Sequence, residues 1–192
     1  PDLVAFAQRH GLKIGTIEDL IAYRLKNDRI VKRFMTSRVE SVFGGEVELH
    51  VYRTTVEPVE HIALVKGDLR KPGPVMVRVH AVNMPADLLG IAMPDRPDAF
   101  LEKCMQMIAE EGRGVVVLIR DLRPRSMSSW LAEREQPSPP QARAERRRVE
   151  IGIGSQILRD LGVTNMVLLT NVPRSRYVGI EGYGLHIVGT RE

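Results

Sequence analysis

Glu60-His61-Ile62-Ala63-Leu64-Val65-Lys66-Gly67, then Lys71-Pro72-Gly73-Pro74, then Val75-Met76-Val77-Arg78-Val79-His80 form the stretch that decides the fold. Ile62 to Val65 and Val75 to His80 are short aliphatic runs, the composition of strands that pack on a pleated surface. Gly67 and the Pro-Gly-Pro segment between them punctuate the chain as a turn. Downstream, Asp98 is placed to cap a helix carrying Leu101, Cys104, Met105 and Ile108, closed at Gly112. Val115 to Ile119 is a fully apolar strand. Ile153, Ile157, Leu158 and Leu161 recur at helical spacing up to Gly162, and Met166 to Thr170 and Leu185 to Val188 add two strands. Upstream, Val47, Leu49 and Val51 alternate as a half-buried strand. Strands first, then helices alternating with strands, predict a mixed α/β sheet with flanking helices. There is no internal repeat.

With 192 residues and 43% hydrophobic content the chain has room for one core, or one domain plus an appendage. Aromatic residues are only 5%, so that core must rest on Val, Ile, Leu and Met. No apolar run is long enough to span a bilayer and no signal peptide is recognisable, so no membrane partner is expected. A single cysteine, Cys104, rules out an internal disulfide and suits a reducing, cytoplasmic location. The chain opens on Pro1 rather than Met, as a piece of a longer protein would. The formal net charge is +4 and the pI about 9.5. The excess is partly local, at Arg143, Arg146, Arg147 and Arg148. No aromatic residues interleave with these arginines and no recognition-helix pattern accompanies them, so they read as a solvated face, not a nucleic-acid site.

Residues 1–31 read as a separate module. Leu3, Phe6 and Ala7 are spaced for a short helix that ends at Gly11. Thr16, with Asp19 three residues on, resembles the start of a second. At the other end, Glu133 to Arg148 is rich in Pro and Arg. Gln136-Pro137-Ser138-Pro139-Pro140-Gln141 cannot be helix or central strand on this reading, and the charges on either side cannot supply a core, so a mobile loop is expected over about 133–148.

From about residue 40 to 190 the sequence resembles GTP cyclohydrolase II, a zinc enzyme of riboflavin synthesis. The strands at Glu60–Gly67 and Pro74–His80 carry the resemblance. So do Glu110-Glu111-Gly112-Arg113-Gly114-Val115-Val116-Val117, Gly152-Ile153-Gly154-Ser155-Gln156-Ile157-Leu158-Arg159-Asp160-Leu161-Gly162-Val163, Leu168-Leu169-Thr170-Asn171 with Pro173, and Glu181-Gly182-Tyr183-Gly184-Leu185. Pro1-Asp2-Leu3, Phe6-Ala7, His10 to Lys13 and Ile17 to Arg24 are similar to the last stretch of dihydroxybutanone-phosphate synthase, which is often fused upstream of the cyclohydrolase. The resemblance therefore implies a synthase tail and linker over 1–31 and a GTP cyclohydrolase II-like domain over 32–192, with the synthase as partner and a homodimer as the common assembly.

The resemblance fails where the family's chemistry lies. The family presents three zinc-binding cysteines after the Arg-Val-His strand. Reading forward from His80, those places hold Asn83, Pro94 and Arg96, so no zinc is expected. Proline has no side-chain ligand and arginine a permanent positive charge. The family's Arg-Gln-Glu-Gly-Arg run corresponds to Arg120-Asp121-Leu122-Arg123-Pro124, where only Arg120 stays in register. A catalytic tyrosine has no counterpart, since none occurs between Tyr52 and Tyr177. Arg147 and Val149 stand where the family has an acidic residue and an arginine, Ser175 where it has lysine, and Ala99 where it has glutamine. Hydrolysis of the GTP imidazole ring, with release of formate and pyrophosphate, needs a Lewis acid, proton carriers and cations for the triphosphate.

These departures imply a degenerate cyclohydrolase-like domain with a structural, dimerising or regulatory role and no catalytic residues. The alternatives are an active cyclohydrolase with a rebuilt site and a module that senses guanine nucleotide. The residues that resemblance and strand position single out for such a ligand are Arg78, His80, Arg120, Thr170 and Asn171. Arg78 and His80 share one face of a strand, and Thr170 and Asn171 end another, where α/β sheets bind ligands. Oxygen ligands from Asn83, Asp87, Asp95 and Asp98 are a candidate replacement site for a hard cation. Cys104 falls on the apolar stripe of its helix and reads as a buried, inert thiol.

Overall fold

The structure is a computed structural model that describes residues 2–15, 20, 23–24, 27–55, 59–91, 100–120, 126–171 and 180–192. Helix α1 (Asp2–His10) is followed by strands β1 (Val31–Ser41), β2 (Gly45–Thr54), β3 (Glu60–Lys66) and β4 (Val75–Ala81). Two helices, α2 (Met84–Leu89) and α3 (Phe100–Glu111), lead to β5 (Gly114–Ile119). Helices α4 (Ser126–Glu135) and α5 (Pro140–Asp160) precede β6 (Asn165–Leu169), and a short 3-10 turn (Ile180–Tyr183) precedes β7 (His186–Arg191). The strands form one seven-stranded sheet in the order β1-β2-β3-β5-β4-β6-β7. The mixed α/β class is as the sequence predicts.

The first half of the sheet is antiparallel, β1 on β2, β2 on β3 and β3 on β5. The rest is parallel, β5 on β4, β4 on β6 and β6 on β7. Parallel neighbours need a crossover, and the chain supplies helices for it. Each covers one face. Val77, Val115, Val117, Met166 and Leu168 pack with Ile153, Ile157 and Leu158 of α5. Met76, Val116 and Leu169 pack with Cys104, Met105 and Ile108 of α3. Burial on both faces explains why β4 and β5 read as near-continuous apolar runs and not as alternating ones. Gly67 shows how tightly β3 meets the α3–β5 corner. Its φ is +68°, and a Cβ there would lie 2.3 Å from the carbonyl oxygen of Gly112.

Two features differ from the sequence expectations. β1 is an eleven-residue edge strand whose side chains are mostly exposed, with a register shift between Arg33 and Met35. It lacks the alternation that betrays a strand because only β2 flanks it. The loop expected over 133–148 is confined to the four residues 136–139, because α4 runs to Glu135 and α5 begins at Pro140. Pro140 opens α5, where its missing N–H costs nothing and its fixed φ suits the helix. The Gln, Ala, Arg and Glu residues that follow are good helix formers. Arg146 donates to Glu133 at 2.7 and 3.3 Å and clasps the two helices together. Among the described residues no helix is long and apolar enough to cross a membrane.

Candidate functional site

The order β5-β4-β6 sets the site. From β4 the chain crosses to β5 on one side of it, then passes back over β4 to β6 on the other. Such a reversal opens a crevice between the carboxyl ends of the two strands flanking it, here β4 and β6, where α/β sheets bind ligands. The five residues picked from the sequence lie along this edge. Arg78 and His80 are near the end of β4, Arg120 follows β5, and Thr170 and Asn171 follow β6.

Arg78 bridges the crevice. Its Nη1 donates to the Leu169 carbonyl at 3.1 Å, its guanidinium stacks 4.7 Å from the Phe100 ring centroid, and its Nη2 lies 3.4 Å from His80 Nδ1. His80 is 5% exposed. Its Nε2 is 2.9 Å from Oδ2 of Asp87, on α2. The carboxylate can only accept and the guanidinium can only donate, so His80 carries its proton on Nε2 and accepts at Nδ1. Asp87 also accepts from the backbone N–H of Asn83 at 2.7 Å, and Asn83 Oδ1 accepts from the N–H of Ala86 at 3.1 Å as the cap of α2. A chain of hydrogen bonds thus runs from β6 through Arg78, His80 and Asp87 to the turn at Asn83. Arg78 and His80 both bond to protein partners in this network.

This network bears on the metal. The first of the three positions where the resemblance places a zinc thiolate is Asn83, and its side chain is spent as a helix cap. Pro94 and Arg96 lie outside the described residues, but neither side chain supplies a ligand that zinc accepts. The residues at these three positions do not fit the ion. Of the four oxygen donors considered for a hard cation, Asn83 and Asp87 are engaged as described, while Asp95 and Asp98 lie outside the described residues. The Asp98 and Thr16 caps and residues 121–125, with Leu122, fall there too, as do Ala99, Pro173, Ser175 and Tyr177.

Beside this network, His61 Nδ1 accepts the backbone N–H of Arg120 at 3.1 Å. His61 is 2% exposed, and its Nε2 is buried with no hydrogen-bond partner among the described residues. Burial, and then the nearby Arg120 charge, push its pKa down to about 4, so the ring is neutral and Nε2 holds a hydrogen. Thr170 is buried and its N–H donates to the Arg191 carbonyl at 2.9 Å, while Asn171 is half-buried. Asp87 enters the network unforeseen as its acceptor, though Asn83 followed by Met84-Pro85 is a readable helix start. Phe100 carried no sequence signal for its place over Arg78. Where the family carries its catalytic tyrosine segment, this chain has the α4–α5 hairpin.

The GTP cyclohydrolase II family profile matches residues 32–192. The probable bifunctional riboflavin biosynthesis protein RIBA 2, chloroplastic, of Oryza sativa subsp. japonica is 40% identical over 205 residues, covering 98% of this chain and 35% of that protein. The 3,4-dihydroxy-2-butanone 4-phosphate synthase of Pseudomonas syringae pv. tomato is 37% identical over 193 residues, covering 98% of this chain and 51% of that protein. Among solved structures, RibBX, a two domain 3,4-dihydroxy-2-butanone 4-phosphate synthase from A. baumannii, superposes with a TM-score of 0.65 at 33% identity, over 99% of this chain and 48% of that one. The chain thus spans about half the length of these relatives, or less. With the profile running from the start of β1 to the last residue, and a solved relative sharing the fold, the chain belongs to the GTP cyclohydrolase II family.

Proposed function

We propose that this chain is the cyclohydrolase-like part of a riboflavin-biosynthesis protein in which zinc and ring-opening chemistry have been lost. It serves as a structural or regulatory module for a dihydroxybutanone-phosphate synthase. The observation that carries the reading is Asn83. At the place of a zinc thiolate stands a helix cap whose neighbours are tied into the Arg78–His80–Asp87 network. A relative that matches 98% of this chain is named for the synthase alone, as is the solved two-domain neighbour. Residues 1–31 fit the tail of that synthase. Leu3, Val4 and Phe6 of α1 are 74%, 50% and 55% exposed, an apolar face that the body of a synthase would cover. The buried thiol of Cys104, its pKa raised by burial, is inert and suits a reducing compartment.

The test is GTP turnover with zinc and magnesium supplied, scored by formate release. The expected result is no release above a protein-free control and no stoichiometric zinc in the purified protein. Formate release proportional to protein, with one zinc per chain, would overturn the reading. A second reading, guanine-nucleotide sensing without chemistry, is favoured by His61, which lies beside Arg120 and whose Nε2–H has no partner among the described residues. Nucleotide binding that is weakened by Arg120→Ala and unaccompanied by turnover would select it.

A further inference from the structure

The helix motif from Gly152 to Gly162 is among the family's closest matches in this chain, yet nothing in the site uses it. Gln156 and Asp160 sit four residues apart on α5, so they share one face. Gln156 Oε1 accepts the backbone N–H groups of Ile30 and Val31, both at 3.1 Å, and its Nε2 donates to the Asp28 carbonyl at 3.0 Å. Asp160 accepts from Arg29 Nη2 at 2.5 Å, Arg33 Nε at 2.9 Å and the hydroxyl of the fully buried Tyr52 at 3.0 Å. Its backbone carbonyl takes a further bond from Arg33 at 3.2 Å. On the other side, Thr55 N–H donates to the Ile30 carbonyl at 2.8 Å. The side chains of Ile30 and Val31 are 6% and 3% exposed and belong to the core that holds Ile157 and Leu158.

A flexible tether needs none of this, because its backbone is satisfied by water. Here both lone pairs of one amide oxygen are used to grip two consecutive backbone N–H groups, and the amide nitrogen takes the carbonyl just before them. The grip reads backbone, and the carboxylate one turn on reads the two arginines that flank it. We propose that Gln156 and Asp160 form a seat for residues 28–31. The seat fixes the direction in which the chain enters the sheet and so the place where it leaves the domain at Asp28. This does not depend on whether zinc or catalysis has been lost.

Hydrogen exchange and spin-label distances on the full 192-residue chain test it. Gln156→Ala is expected to speed exchange of the Val31 amide at least tenfold, and of the Ile30 amide, which also donates to the Asp28 carbonyl at 3.1 Å, by less, while Val77 and Val117 in the sheet centre keep wild-type protection. Gln156→Glu keeps an acceptor for both amides but sets a second oxygen against the Asp28 carbonyl, so it should protect them only in part. Nitroxides at Asn27→Cys and Lys103→Cys, in a Cys104→Ala background, should give one narrow distance distribution. Gln156→Ala or the isosteric Asp160→Asn should broaden it. If Gln156→Ala unfolds the sheet, the Asp160→Asn distribution decides. A broad distribution with the seat intact, or Ile30 and Val31 amides that exchange like free peptide, would overturn the proposal.

Discussion

Asp87→Ala lowers the melting temperature by roughly 6–12 °C, and a chelator such as EDTA changes neither this variant nor the wild type. The carboxylate holds two donors, the Nε2–H of the buried His80 and the backbone N–H of Asn83. A buried donor left without a partner costs on the order of 1–3 kcal/mol. Asp87 itself is largely buried, with 17% of its side chain exposed, so water replaces it poorly. Two such losses, partly relieved by relaxation, come to about 3 kcal/mol, and a domain of this size shifts by about 2–4 °C for each. Asp87→Asn separates charge from shape. Both donors go to one oxygen, Oδ2, so an amide oxygen in its place can still accept from Asn83 and from His80, and only the charge is lost. The asparagine variant should therefore recover most of the loss. Thermal melts of the three proteins with and without EDTA decide the matter. A loss below about 2 °C for Asp87→Ala would remove the network from the account of this turn. A wild type destabilised by EDTA would mean that a metal holds it.

Sequence and structure agree where a residue's role is set by its neighbours along the chain or by burial on both faces. Val75 to His80 and Val115 to Ile119 announce themselves because sheet covered by α3 and α5 accepts little but aliphatic side chains. Helix α3 ends where Gly112, at φ +72°, permits the left-handed turn. β1 does not announce itself, since an edge strand with one neighbour needs no apolar alternation. The start of α5 is hidden by prolines that forbid a helix interior but favour its first turn. The site divides the same way. Its position follows from strand order, and strand ends are legible in the sequence. What Arg78 does there is not, because its partners are a carbonyl 91 residues away and a ring at the start of α3. The Gln156 seat is hidden for the same reason, since its three partners lie more than 120 residues upstream.

His61 makes the protein lose stability between pH 6.5 and 4, and removing its titration flattens that slope. The folded-state pKa is about 4 against an ordinary 6.5, because burial and then the Arg120 charge oppose the imidazolium. The unfolded chain therefore binds the proton first. Stability is complete above 6.5, falls as pH drops toward 4, and levels off below it. A shift of this size corresponds to about 3 kcal/mol, of which about 2–3 kcal/mol is lost by pH 4.5. His50, 3% exposed and lowered chiefly by burial and then by the Arg33 charge, adds a loss of the same sign. Asp160 acts in a different window. Burial is the largest influence on it and works upward, but its bonds to Arg33, Tyr52 and Arg29 outweigh burial and hold its pKa below the ordinary value. Its contribution is lost only as pH falls below the unfolded carboxylate value, about 3.9. His61→Gln isolates the one residue, because an amide can still accept the Arg120 N–H and cannot titrate. Urea unfolding at pH 7 and 4.5 should show the variant losing about 2–3 kcal/mol less than the wild type across the interval. Equal losses in the two proteins would mean that His61 does not titrate in a buried, neutral state.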